Sequence, residues 1–570
     1  MSWNFWYLQG RCDIIDGMNK IGEMIRGVIR RIFGVETEVE MVPSPENIAA
    51  DYSCNVAMRL TKTLGRPPME IAEQIAKELG AQKEYEVSVT APGFINVAFT
   101  DDSLLRQFEM GSPDNMEDLS GKTVICEFSD PNPFKVLHVG HLYTSVVGEA
   151  ISRLHEIAGA KVVRANFGGD VGLHVAKTLY ALQDESVDEI TIDDIARCYV
   201  EGTVAYEESE EARAEITRLN KEIYAINAED KHGTKLADLY WRGRELSYEY
   251  FVNFYDSIGV KFDKFYPEST VAELGLETVR RELENGVYEK SDGAVIFDGE
   301  KYGLHKRVFI NKEGVPTYEA KDVGLIFTKW NDYKFDRSVV ITGNEQKDYM
   351  KVVLCSVEQY VPELVERTTH LTHGLVKLPG NVKMSSRKGN FLKAVDVLEM
   401  VRDELKAEYG TADEKIVMAA MKYAFLKYKM GGDIVFDVKE SVKMAGNSGP
   451  YLLYSCVRAK KVLAKIGAGG GGDGEADAMG SGVQLEKTER NLMKKILEWK
   501  GELARAVDEM APHRVATYLY ELAQDFSRFY ENCQVAGSER EKVRVELVRG
   551  FLMIEMIGLG ILGIDVPEEM

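Results

Sequence analysis

Apolar positions recur at helical spacing over residues 12–33 and again over 66–79, where the run opens on Arg66-Pro67-Pro68. Both patterns predict amphipathic helices. Between 85 and 100 the pattern becomes an alternation, YEVSVT and FINVAFT around a Pro-Gly pair, which is the period of strands joined by a turn. A polar stretch, 111-GSPDNMEDLSG-121, closes this region, so it reads as a small α+β unit. A buried-strand run follows, 122-KTVICEFS-129, then a loop, a helical pattern over 140–158, and a second strand run, 161-KVVRANFG-168. Strand, helix and strand in that order predict the start of a parallel α/β sheet. Residues 184–290 are mostly charged and helical in spacing, as in 206-YEESEEARAEITRLNKEIY-224, and read as solvated helices. Strand-like runs return at 293–298, 307–311, 338–342 and 374–378. Beyond 415 the pattern is almost wholly helical, broken by the glycine-rich acidic stretch 467–482, which is expected to be a surface loop between two helices.

Composition narrows the class without naming it. The chain has 570 residues, 45% apolar and 28% charged, enough for several cores. Its seven cysteines are dispersed, with no C-x-x-C pair, which predicts reduced thiols and neither a disulfide frame nor a structural zinc. The first residues lack the basic-then-apolar layout of a signal peptide. The longest apolar run, 550–564, carries Glu555 and is too short for a bilayer, so a buried C-terminal helix, no membrane and a soluble cytoplasmic protein are expected. The net charge of −22 and the pI of about 5.1 argue against a broad basic face for nucleic acid. They leave room for a local basic stripe, because phosphates respond to fields within a Debye length.

Two stretches carry chemistry. The first is 138-HVGH-141, placed where a strand and loop lead into a helix. A helix N-terminus offers free amides and partial positive charge to a phosphate, and two imidazoles at that mouth add donors. Gly140 leaves room there for a flat base or a backbone. Histidines three apart can also hold a metal, but a catalytic metal wants a third protein ligand, and no glutamate or cysteine pair stands in the pattern that would supply one. Phosphate is therefore the preferred reading. The second stretch is 381-NVKMSSRKGNF-391, whose Lys383, Arg387 and Lys388 sit among small residues as a loop closing on polyphosphate requires.

HVGH followed by KMSSR resembles the "HIGH" and "KMSKS" signatures of class I aminoacyl-tRNA synthetases. The blocks 127-EFSDPNPFKVLHVGH-141, 165-ANFGGDVGLHVAK-177, 316-PTYEAKDVG-324, 380-GNVKMSSRKGN-390 and 448-SGPYLLYSCVRA-459 are similar to the arginyl members. So are 93-GFINVAFT-100 and 511-APHRVATYLYELAQDFSRFYENCQV-535. The resemblance implies an α/β Rossmann-type parallel-sheet catalytic domain over 119–440, with a helical insertion at about 184–290. It also implies an α+β N-terminal tRNA-binding domain over 1–118 and an all-α anticodon-binding domain over 441–570. The implied reaction is activation of L-arginine by ATP, carried with Mg²⁺, to arginyl-adenylate and pyrophosphate, then transfer to the terminal adenosine of tRNA(Arg). Family members are often monomers and often need tRNA present for the first step.

Carried onto this sequence, the resemblance assigns His138, His141, Lys383, Arg387 and Lys388 to the ATP phosphates. Gly140, Met384, Ser385 and Ser386 join the ATP site. Glu127, Phe128, Ser129, Asn132, His138, Tyr318, Asp322 and Gln346 line the arginine site. Tyr318 and Asp322, one helical turn apart, suit a guanidinium, whose planar fork favours a carboxylate. A buried Glu127 needs a cationic partner, for which the substrate ammonium is a candidate. Tyr454, Arg458, Arg514, Arg528 and Tyr530 are the candidate tRNA contacts. Three departures stand out: Ser386 occupies the second signature lysine position, Val171 and His174 replace the common tryptophan and glutamine, and RVELVR at Arg544–Arg549 replaces the Asp-Ala-Leu-Arg signature.

Overall fold

The computed structural model describes residues 14–45, 47–80, 83–109, 117–380, 392–467 and 483–570. Near the N-terminus a four-stranded sheet, in the order Val42–Pro43, Tyr52–Cys54, Phe94–Phe99, Tyr85–Thr90, packs with helices Ile14–Phe33, Val56–Leu64 and Pro68–Leu79. All pairings in that sheet are antiparallel.

The centre of the molecule is a five-stranded parallel sheet, in the order Thr368–His373, Arg337–Gly343, Thr123–Glu127, Lys161–Gly168, Lys264–Pro267. The chain enters at the middle strand, builds outward on one side, then returns to build the other. That reversal leaves a crevice at the C-terminal ends of Thr123–Glu127 and Arg337–Gly343, where α/β sheets of this kind bind ligands. Helix Val139–Ile157 connects the first two strands and is buried along most of its length.

Two parts of the sequence reading need correction. The expected strand at 374–378 is not in the main sheet: only Val376–Lys377 is extended, and it pairs with Ile434–Val435. The edge strand is instead Thr368–His373, whose threonines and histidines lack an apolar signature because an edge strand is only partly covered. The 184–290 region is not simply an insertion, since Lys264–Pro267 inside it is the fifth parallel strand. The runs at 293–298 and 307–311 form a separate antiparallel sheet with Glu289–Ser291.

The C-terminal part is a bundle of helices Gly449–Gly467, Lys487–Asp508, Pro512–Asn532 and Glu541–Ile561. The apolar run near the C-terminus lies largely in the last of these, buried as expected. Arg544 is not a surface group. It donates to Glu489 at 2.8 Å and Glu486 at 2.8 Å, tying the last helix to Lys487–Asp508. Arg540 adds a second cation at 2.9 Å from Glu489, so this carboxylate pair near Cys533 is already neutralised. Among the described residues six cysteines are free, and no helix is long and apolar enough to cross a membrane. Most of the 467–482 stretch lies outside the described residues.

Candidate active site

His138 is the N-cap of helix Val139–Ile157, and its Nδ1 accepts from the Gly140 amide at 3.0 Å. The Nδ1 of His141 accepts from the His138 amide at 3.2 Å. The two rings stack at 3.8 Å. A ring nitrogen that accepts carries no hydrogen, so each neutral imidazole holds its proton on Nε2. Burial lowers the pKa of both, with the nearby Lys135 ammonium adding to the effect, and His141 falls well below the usual histidine range. At neutral pH the mouth therefore presents neutral N–H donors. The Gly140 expectation changes: a Cβ at this position would meet the His138 ring at 2.8 Å, so the space the glycine leaves is taken by the imidazole.

The segment leading into the mouth is tightly bent. Ser129, Asp130 and Phe134 have φ of 72°, 50° and 65°, left-handed values that non-glycine residues adopt at a cost. Buried packing holds them: Phe128 and Phe134 are fully buried, Gly148 gives way to the Phe128 ring, and the Phe134 amide donates to Ser247 at 2.9 Å. Phe128 thus supports the loop from behind and does not line the crevice.

A crevice of about 1060 Å³ opens beyond the mouth. It brings together Glu127, Ser129, Asn132, His138, Gly140, His141, Tyr318, Asp322 and Gln346 from the sequence reading. Asp322 donates nothing; it accepts from the Tyr349 hydroxyl, and burial pushes its pKa up to about 7. Tyr318 is 61% exposed at the first turn of the same helix.

Glu127 is the clearest correction. Its cationic partner is Lys329, at 2.5 Å and itself buried, so no substrate group is needed to hold its charge. Sequence reasoning missed Lys329 because it is 202 residues away and looks like any helix lysine. Missed as well were Asp130, Glu268 with its ion-pair partner Lys321, Arg307, and His373, which shares a hydrogen bond of 2.7 Å with Thr144. Lys135 is another, half-buried near the two histidines with its ammonium over the Tyr199 ring at 5.0 Å. The departure at His174 resolves locally: its Nε2 donates to the Gly169 carbonyl at 2.8 Å, and burial drives its pKa to about 3.

Lys383, Met384, Ser385, Ser386, Arg387 and Lys388 lie outside the described residues. Their C-terminal flank is pinned beside the mouth, however. The Val139 amide donates to Leu392 and the Ala394 amide to Leu137, each at 2.9 Å. Of the tRNA candidates, three meet: the Arg458 guanidinium lies over the Tyr530 ring at 4.2 Å and the Tyr454 ring at 5.2 Å. Arg514 and Arg528 are ion-paired with Glu509 and Asp525.

A parallel sheet with a donor-lined helix mouth at its switch point, facing an acidic crevice, defines a nucleotide-dependent enzyme acting on a cationic small molecule. Residues 107–437 match the family "tRNA synthetases class I (R), catalytic domain". Residues 452–570 match the "DALR anticodon binding domain", and 19–99 the "Arginyl tRNA synthetase N terminal domain". The chain belongs to the class I tRNA synthetases of the arginine type. A curated relative from Treponema denticola, an arginine–tRNA ligase, is 28% identical, covering 95% of this chain and 96% of that one. The arginyl-tRNA synthetase structures from Thermus thermophilus and Plasmodium falciparum share the fold, with TM-scores of 0.75 and 0.78 at 23% and 19% identity. They cover 97% and 99% of this chain, and all of each solved chain.

Proposed function

We propose that this chain is an arginine–tRNA ligase that forms arginyl-adenylate from L-arginine and Mg²⁺-bound ATP, then passes arginine to the 3′-terminal adenosine of tRNA(Arg). The family match over 107–437 carries the reading, and the mouth and acidic crevice within that span supply the chemistry. Arginine's carboxylate attacks the α-phosphate in line, and pyrophosphate leaves. The neutral Nε2–H groups of His138 and His141 stabilise charge on the phosphoryl oxygens without a proton having to move. Lys383, Arg387 and Lys388 neutralise the leaving phosphates, Gly140, Met384, Ser385 and Ser386 complete the ATP site, and Lys135 adds a cation at the mouth. Asp322, with Tyr318, takes the guanidinium. Asn132 and Gln346 orient the amino-acid end, and Glu127, Phe128 and Ser129 hold the loop that presents them.

The Tyr454–Arg458–Tyr530 cluster is the surface assigned to tRNA bases, since exposed aromatic faces with a stacked guanidinium suit single-stranded bases. Domain limits of 1–118, 119–440 and 441–570, a monomeric state and a cytoplasmic location complete the reading. ATP–pyrophosphate exchange with each amino acid, with and without bulk tRNA, tests it. Exchange with arginine alone is expected, and exchange driven by another amino acid would refute it.

A further inference from the structure

Acceptors for a substrate ammonium are scarce at the start of the crevice. Glu127 is held by Lys329. The Ser129 hydroxyl is bonded to the Tyr255 hydroxyl at 2.8 Å. The Asn132 carbonyl oxygen accepts from the Gly169 amide at 2.7 Å, leaving its NH₂, a donor that suits a carboxylate. Across the crevice Glu268 is held by Lys321, and Glu345 stands at the solvent-exposed rim. Asp130 is different. Its Oδ1 accepts from the Phe167 amide at 2.8 Å, and among the described residues it forms no ion pair of its own. Lys329, the cation whose field reaches Asp130, is already engaged by Glu127. Asp130 lines the crevice, and the left-handed turn at Ser129 and Asp130 is what aims it there.

Arginine brings two positive groups, and its guanidinium has Asp322. We propose that Asp130 is the counter-charge for the α-ammonium group of the bound amino acid. This rests on the arginine-activating function proposed above. Burial and the neighbouring Glu127 raise the pKa of Asp130 well above its ordinary value, which favours proton uptake on this carboxylate. An arriving ammonium favours the carboxylate, and the displaced proton passes to solvent. The crevice thereby avoids an uncompensated buried charge when no substrate is present.

The experiment measures the arginine KM in tRNA-supplemented exchange by the full chain, alongside inhibition by 5-guanidinopentanoate, which is arginine without its ammonium. In Asp130→Asn the carbonyl still accepts from Phe167, so the turn is kept. The expected result is an arginine KM about 100-fold higher, with the analogue's inhibition constant moved by less than about threefold. A parallel loss for both ligands would mean that Asp130 only shapes the crevice, and an unchanged arginine KM would mean it does nothing there. Either result overturns the proposal. If Asp130→Asn does not fold, Asp130→Ser asks the same question. Failure of the wild-type chain to exchange with arginine would remove the function proposed above, and this proposal with it; selective failure in the variant touches Asp130 alone.

Discussion

Glu127 and Asp322 line one crevice, yet their charges are held in different ways. Glu127 has a buried ammonium in contact, and removing Lys329 would strand that charge at a cost of about 3–5 kcal/mol. Asp322 has, among the described residues, a phenol as its hydrogen-bond partner, and burial raises its pKa to about 7. A guanidinium binds the ionised form, so arginine binding should tighten as pH rises through about 7. The arginine KM of the wild type is expected to fall across that range, whereas Asp322→Asn should show a KM raised about 100-fold and a shallower fall, because only the proton released from Asp130 still contributes. A pH series of steady-state exchange checks both. Glu555 illustrates the same physics without a function. It lies among Tyr423, Tyr451 and Cys456, neither carboxyl oxygen has a hydrogen-bond partner among the described residues, and burial pushes its pKa well above its ordinary value. Because the folded state keeps the proton that the unfolded chain gives up near the ordinary carboxylate value, this group lowers stability as pH rises above that value. Glu555→Gln should raise the melting midpoint at pH 8 and leave it nearly unchanged near pH 4, as a thermal denaturation series would record.

Among elements, close approach decides the geometry. Helices Glu268–Glu284 and Tyr318–Tyr333 cross at paired glycines: a Cβ at Gly275 would lie 1.9 Å from the Ala320 carbonyl oxygen, and one at Gly324 would lie 2.1 Å from that of Val271. That contact brings Glu268, at the start of one helix, to Lys321 on the other and sets that wall of the crevice. Gly324→Ala should cost about 1–3 kcal/mol in urea denaturation through overpacking against backbone that cannot yield. At the mouth, Gly140→Ala would push the His138 ring off its cap. Exchange should drop at least about 100-fold while the melting midpoint moves little, since a lost cap costs only about 1 kcal/mol. Helix Val139–Ile157 was legible in outline as the helical pattern over 140–158, because period is local. The edge strand Thr368–His373 was not, because its half-covered face asks little apolar character of it.

Across the whole molecule, Arg490 is central to the junction between the N-terminal and C-terminal parts. Arg490 donates to Asp51 at 2.8 Å, to Asp101 at 2.6 Å and to the Phe99 carbonyl at 2.7 Å, while Lys494 supports the buried Asp51 from the next turn. The N-terminal sheet is thereby seated on helix Lys487–Asp508. Arg490→Met should weaken that seating by about 2 kcal/mol, read as faster hydrogen exchange in strands Tyr52–Cys54 and Phe94–Phe99. The net charge of −22 gives a polyanion no long-range attraction, so tRNA affinity should rest on local cations. It should fall at least about tenfold between ~50 and ~200 mM salt.

The sequence by itself determined the parallel α/β centre, the helical C-terminal part, and the helix start that carries His138 and His141. Each of these is written in short-range terms: a period, a cap, a turn, a donor at a helix end. Only the tertiary structure decided which charges are already matched. Glu127 ends a strand and Asp130 follows three residues on, and the two look alike in sequence, but Lys329 arrives beside Glu127 from a helix 202 residues away. The space beside Gly140 was likewise settled by the His138 ring, whose orientation depends on the hydrogen bond its Nδ1 accepts from the Gly140 amide in the folded helix mouth. Electrostatic partnership depends on distance through space, and chain position fixes that distance only over a few residues.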